Sequence, residues 1–172
     1  MGLDIAIGID KNINTLSDKE LEKYYQKHPD EMITEKLGSS SSIYDTLGTI
    51  EYHLSKDDLK INYPVFSKID NQVGFCGWKY DELINLKHEI NDIIDKFSKI
   101  DYRKQISVTV NENKAILNIY TEEEVQQITK SYCIAYPDKK LKSLYDLNHW
   151  FLDTLIKFID IAIKKERSIY VY

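Results

Sequence analysis

Residues 143–172 read SLYDLNHWFLDTLIKFIDIAIKKERSIYVY. Ser143 can cap a long helix, since a serine side chain can accept from the backbone N–H groups that open a helix. Leu144, Leu147, Phe151, Leu155, Phe158 and Ala162 then recur at helical spacing to about Lys165. Trp150, Leu152, Ile156, Ile159 and Ile163 widen the apolar face beyond one stripe, which predicts a central helix covered on more than one side. SIYVY (168–172) alternates as a strand does. A long central helix running into a short strand excludes both a pure bundle and a pure sandwich.

Outward from this segment, the same two periods alternate along the chain. Leu3, Ile5, Ile7 and Ile9 interleave with Asp4, Ala6 and Gly8, predicting a first strand. Ser17 with Glu20 forms a capping box ahead of a polar helix over about 18–27. Pro29 can start a further helical turn, ending at Gly38. Ile43, Leu47, Ile50 and Leu54 predict an amphipathic helix over 43–55, capped by Ser42, and Asp57 and Asp58 begin a polar connection. YPVFSKI (63–69) is short and apolar, with Tyr63 turned away from helix by Pro64. GFCGW (74–78) reads as a loop, followed by a helix over about Tyr80–Phe97 through Leu83, Leu86, Ile90, Ile93, Ile94 and Phe97. ISVTV (106–110) and AILNIY (115–120) flank NENK, a hairpin pattern. Thr121 with Glu124 opens another capped helix through Val125, Ile128 and Tyr132. The fold class is α+β: one domain over 1–172, with the N- and C-terminal strands and the hairpin in a small sheet packed on two long helices.

Composition bounds the function. The 172 residues carry 23 basic and 28 acidic side chains, a net charge of -5. The excess acid lies in residues 1–86, with 9 basic and 15 acidic groups, a balance of -6; residues 87–172 carry 14 and 13. Nucleic-acid binding needs a surplus of Lys and Arg, so it is not expected. MGLDIAIGID has neither the basic start nor the apolar core of a signal peptide. No segment approaches the ~20 apolar residues of a membrane span, and a cytoplasmic protein is expected. Cys76 and Cys133 read as two free thiols in a reducing compartment.

No reactive constellation emerges. The glycines form neither a dinucleotide fingerprint nor a phosphate loop, and there is no nucleophile elbow. No catalytic residue, metal site or cofactor is expected. Asp146, His149 and Asp153 share a helix face, which reads as a solvated face opposite the apolar positions. The 13 tyrosines accompany 24 Ile, 21 Lys and 10 Asn, a bias of AT-rich coding, although Tyr also suits protein interfaces. GFCGWKYDEL (74–83) sets Trp78 and Tyr80 beside Asp81 and Glu82. Trp78 can pack under the helix start, or anchor a basic partner.

Two stretches carry a resemblance. SIYDTLGTIEYHLSKDD, YPVFSKI and GWKYDELINLKHEINDIIDKF span Ser42 to Phe97, and SLYDLNHWFLDTLIKFIDIAIKKE closes the pattern. Thr49, Ile50, Tyr52, Leu54, Tyr63, Pro64, Tyr80, Leu83, Leu86, Glu89 and Ile90 carry it, over about half the chain. In this order the chain resembles a family of bacterial polymorphic-toxin immunity proteins, the one numbered seventy among them. The resemblance implies a cytosolic protein that neutralises a cognate, basic toxin by direct binding, without catalysis. Asp57, Asp58, Trp78, Tyr80, Asp81 and Glu82 are the expected partner-binding residues. A second resemblance, of MGLD and His149-Trp150-Phe151 to small phage proteins, supports an alternative: a phage-encoded accessory or anti-defence binding protein.

Overall fold

The computed structural model describes residues 5–12, 17–33, 49–50, 53, 56–70, 77–103, 105–110, 113–118 and 121–171. In chain order these form β1 (Ile5–Ile7), α1 (Asp18–Lys27), β2 (Met32–Ile33), α2 (Lys56–Asn62), β3 (Gly77–Trp78), α3 (Leu83–Ser98), β4 (Gln105–Val110), β5 (Asn113–Asn118), α4 (Glu122–Ala135), α5 (Leu144–Lys165) and β6 (Ile169–Val171). Short 3₁₀ turns cover Pro29–Glu31, Phe66–Asp70 and Tyr80–Glu82.

The class is α+β. The four-stranded sheet runs β2-β1-β6-β3, antiparallel throughout. The first and last strands lie side by side, Ile5 opposite Val171 and Ile7 opposite Ile169. The two-residue strand period sorts their side chains onto opposite faces. Ile5, Ile7, Ile169 and Val171 join the large core with α3 and α5, whereas Ala6 packs with Leu21 and Tyr25 of α1, and Tyr170 lies against them. Layers therefore cover both faces, which explains why Ile5, Ala6 and Ile7 are all fully buried. Ala6 is small on the side where α1 sits. Tyr25, four residues after Leu21, donates its hydroxyl to the Ile7 carbonyl at 2.8 Å.

α5 is the central helix its breadth of apolar positions predicts. It buries Leu144, Phe151, Leu152, Leu155, Phe158, Ile159 and Ala162, and packs along α3 through Leu83, Leu86, Ile90, Ile93 and Phe97. Its 22 residues give a rod of ~33 Å. Capping boxes at Ser17 and Thr121 open α1 and α4 as expected, and Ser143 caps α5 as expected, with Asp146 completing a box there. α5 stops at Glu166, a left-handed residue with φ 53°. The Glu166 and Arg167 N–H groups donate back to the carbonyls of Ile163 at 3.1 Å and Ala162 at 2.9 Å. That closes the helix as a glycine would, but with a residue type that gave no advance signal.

Four expectations are corrected. The helical turn expected from Pro29 to Gly38 is a 3₁₀ turn over Pro29–Glu31 that gives way at once to strand β2, Met32–Ile33. The hairpin exists, with Gln105 opposite Asn118 and Val110 opposite Asn113, but β4 and β5 make a sheet of their own and do not extend the main one. Asp57 and Asp58 lie within helix α2, not in a connection. Gly77 and Trp78 form a strand, not a loop. The helix expected over 43–55 is described only at 49, 50 and 53, which are helical; its remainder, Gly38, Ser42 and Cys76 lie outside the described residues.

A buried carboxylate fastens α5 to the N-terminal layer. Glu31 is almost wholly enclosed and meets Lys165, Arg167 Nη1 at 3.1 Å and the Tyr24 hydroxyl, which donates at 2.8 Å. Burial pushes the Glu31 carboxyl up, but Lys165, Tyr24 and Arg167 outweigh it and hold it below its ordinary value of 4.5. A carboxyl lowered in the folded state adds stability that is complete above that ordinary value and disappears as pH falls through the native one. The melting temperature should therefore drop on acidification below about pH 4.5. Glu31→Gln should melt lower at neutral pH and show a flatter acid limb; an acid limb as steep as that of the parent protein would remove Glu31 from this account.

Candidate functional site

Segment 63–70 lies along α3 and is fixed by side chains of that helix. The Tyr63 hydroxyl donates to Asp92 Oδ2 at 2.5 Å and accepts from Lys96. Glu89 accepts the Val65 N–H at 3.1 Å and the Phe66 N–H at 2.7 Å. Burial pushes the Glu89 carboxyl above its ordinary value, against the two backbone N–H groups that favour its charged form. Further along, Lys68 pairs with Glu82. Tyr63, Glu89 and the buried Ile50, Leu83, Leu86 and Ile90 are thus packing and clamping residues. Among the described residues, these positions of the family resemblance report how this half of the chain folds.

This arrangement separates the expected partner-binding residues. Trp78 is fully buried, and its indole Nε1 donates to the Val65 carbonyl at 2.8 Å. It lies in the core and contributes no surface to a partner. Tyr80 is half-buried: its N–H donates to the Lys11 carbonyl at 3.0 Å, and Lys11 Nζ stands 5.1 Å from its ring centroid. Lys11 also pairs with Glu166 at 2.8 Å, so three chain segments meet at Tyr80. Asp81 is exposed at the same end of α3. Glu82 is engaged internally: besides Lys68, it accepts the Lys79 N–H at 2.9 Å. Burial pushes its carboxyl up, but Lys68 and the Lys79 N–H outweigh this and hold it low.

Asp57 and Asp58 fall elsewhere. Their helix α2 lies between His53, whose ring is 6.0 Å from that of Phe97, and Tyr63, which bonds Asp92. Both anchors are on the C-terminal half of α3, about three turns (Asp92) and more than four turns (Phe97) from Asp81, or ~16 and ~24 Å at about 1.5 Å per residue. The side chains of Asp57 and Asp58 lie outside the described part of the structure. Helix α2 therefore lies toward the C-terminal half of α3, and Asp81 stands at the start of α3.

A different group of residues does come together, at the contact of α4 with α5. His149 is 8% exposed, so its face is covered and not solvated. Tyr132 and Tyr136 from α4 and the turn after it, with Tyr145 from α5, stand around it. Their ring centroids lie 6.1, 4.7 and 6.4 Å from the imidazole, all edge-on. The carboxylate–His–carboxylate relay that the spacing allows is not assembled. Asp146 Oδ2 accepts the Ser143 N–H at 2.8 Å and the Lys142 N–H at 2.9 Å as a helix cap. Asp153 Oδ1 accepts from the Tyr145 hydroxyl at 2.7 Å. Burial, followed by that hydrogen bond to Asp153, pushes the Tyr145 hydroxyl far above its ordinary value. His149 Nδ1 lies 2.6 Å from the Asp146 carbonyl. A carbonyl can only accept, so Nδ1 carries a proton.

The signal for this cluster was present as two tyrosine-bearing pairs at helical spacing, Tyr132/Tyr136 and Tyr145/His149. Which faces of the two helices would meet was not readable. Cys133, one residue along α4, is an exposed free thiol. Among the described residues no group of three or more His, Cys, Asp and Glu side chains is placed to hold a metal ion. No helix among them is long and apolar enough to cross a membrane. No family model, curated protein or solved structure matches this chain.

Proposed function

We propose that this protein is an immunity protein of the bacterial cytoplasm that binds a cognate toxin and neutralises it by direct occlusion, with no catalytic step of its own. The observation that supports this reading best is the division of labour among its charged groups. Glu31, Glu89 and Tyr63 with Asp92 and Lys96 each tie one chain segment to another. They rigidify the scaffold. A rigid inhibitor loses little conformational freedom on binding, which favours affinity. Asp81 remains on the surface at the junction of three segments, in the half of the chain whose balance is -6. A toxin that attacks nucleic acid needs a basic surface, and an acidic inhibitor is steered to it at a raised association rate.

Co-expression with the toxin encoded beside this gene tests the reading directly. Growth should be rescued and a complex should co-purify; neither result occurring would end the proposal. Because α2 and the start of α3 are distinct places, charge reversal belongs in two variants. One is Asp81→Lys; the other joins Asp57→Lys with Asp58→Lys. Glu82 is left intact, since its reversal would break the Lys68 pair and the Lys79 contact. The variant on the true interface should associate about ten-fold more slowly at low salt and show a shallower salt dependence. Parental kinetics in either variant would exclude that place from the interface.

A further inference from the structure

Helix α1 is thinly attached. Leu21 and Tyr25, one turn apart, are buried, whereas Glu22, Lys23, Gln26 and Lys27 are exposed. The two buried side chains pack on Ala6 in a cluster apart from the main core, with Ile9, Tyr24 and Tyr170 at its margin. The main core is built instead from α3, α5 and the opposite face of β1 and β6. The β2 strand that follows α1 meets β1 in two residue pairs, Met32 opposite Ala6 and Ile33 opposite Ile5.

Polar contacts add to this attachment. The Tyr25 hydroxyl donates to the Ile7 carbonyl at 2.8 Å. Glu31, in the turn between α1 and β2, is 3% exposed and meets Lys165 of α5 and Arg167 just beyond it. The Tyr24 hydroxyl donates to Glu31 at 2.8 Å and accepts from Arg167 Nη1 at 2.7 Å. We propose that residues 17–33 form a strap that opens as one unit from an intact core, and that Glu31 is the latch that holds it shut.

Apolar stabilisation grows with the area buried, so two buried positions in α1 hold far less than the seven apolar ones buried in α5. The ion cluster therefore carries a large share of the closure. Tyr24 and Glu31 lie on the strap, and Lys165 and Arg167 lie on the body. A buried charge is costly once its partners leave, so the three contacts across this boundary break together and the strap moves as a whole. Segments with little apolar burial are the ones that open below the free energy of global unfolding. The body keeps its own packing: Ile5, Ile7, Ile169 and Val171 stay on the core side, and β1 stays paired with β6. Opening bares the outer edge of β1 that β2 covers, an edge with unpaired N–H and C=O groups. This inference does not depend on the identity of any partner.

Native-state hydrogen exchange on the whole protein tests it. In the parental protein, the amides of 21–27 should exchange through an opening with weak urea dependence, and those of 90–97 and 155–159 through global unfolding. Ile90→Val, a change in α3 outside the Ala6 cluster, should speed the core amides about two- to ten-fold and leave the α1 amides at parental rates. Glu31→Gln should speed the α1 amides about ten-fold or more. Core amides accelerate with them in that variant, because the closed state is the reference for both openings. α1 amides that follow the core in Ile90→Val would show that α1 leaves only by global unfolding, which overturns the strap. α1 amides unmoved in Glu31→Gln would overturn the latch. If Glu31→Gln folds poorly, Ile90→Val still decides whether the strap opens on its own.

Discussion

Replacing Gly77 with alanine should destabilise this protein by at least ~3 kcal/mol, a large part of the ~5–15 kcal/mol that holds a domain folded. Gly77 has φ 131°, a backbone conformation that side-chain-bearing residues rarely adopt. It also faces Tyr170 across the β3–β6 ladder. A Cβ built there falls 2.0 Å from the Ile169 carbonyl oxygen, 2.9 Å from Tyr170 Cα and 3.0 Å from the Ile169 carbonyl carbon. All three are backbone atoms of β6. No rotamer change relieves the clash, so β3 must separate from the sheet edge or the glycine conformation must collapse. Urea denaturation followed by far-UV circular dichroism reads the loss as a lower midpoint. An unchanged midpoint in Gly77→Ala would mean that Gly77 and Trp78 do not pair with β6.

Removing the side chain of the next residue, Trp78→Ala, should cost ~3–5 kcal/mol, the range for deleting a large buried aromatic group. Trp78 is fully enclosed, and its indole N–H satisfies the Val65 carbonyl. The substitution leaves a cavity under segment 63–70 and takes the donor from a carbonyl there. Trp78→Phe should lose less, because most of the volume returns and only the N–H is missing. The two readings of Trp78 separate in these variants. A core residue lowers stability and leaves the affinity of the remaining folded protein near its parental value. An interface anchor would do the reverse, costing ~2 kcal/mol or more of binding with little change in unfolding. Denaturation and toxin binding measured on Trp78→Phe, the milder variant, distinguish them; parental stability with weakened binding would contradict the core placement.

The candidate site was only partly legible in advance. Asp81 stands where a helix-start acid was expected, at the surface. Glu82 has the same residue type and nearly the same address, yet Lys68, fourteen positions earlier, claims it. Its engagement depends on how segment 63–70 runs along α3, a long-range relation that no local pattern encodes. Trp78 is the same case from the apolar side: both readings were open until the Val65 carbonyl appeared opposite its indole. His149 was misjudged because the face opposite an apolar stripe was assumed to meet water. α4 packs its tyrosines there instead, and a face polar by composition becomes an aromatic enclosure.

What the sequence alone determined is everything written in short-range periodicity. The capped starts of α1, α4 and α5, the central character of α5, the hairpin strands and the strand nature of both ends follow from neighbours within one turn or one strand. Caps and amphipathic faces are local, and their energetics do not wait for a partner. Tertiary structure decided the rest. It made the hairpin a separate sheet, turned Gly77–Trp78 into an edge strand and closed α5 on a left-handed Glu166. It also drew Tyr132, Tyr136 and Tyr145 around His149. Each of these depends on which buried surface finds which other. Burial is non-directional and summed over the whole chain, so the pairing of surfaces is written in no single stretch of it.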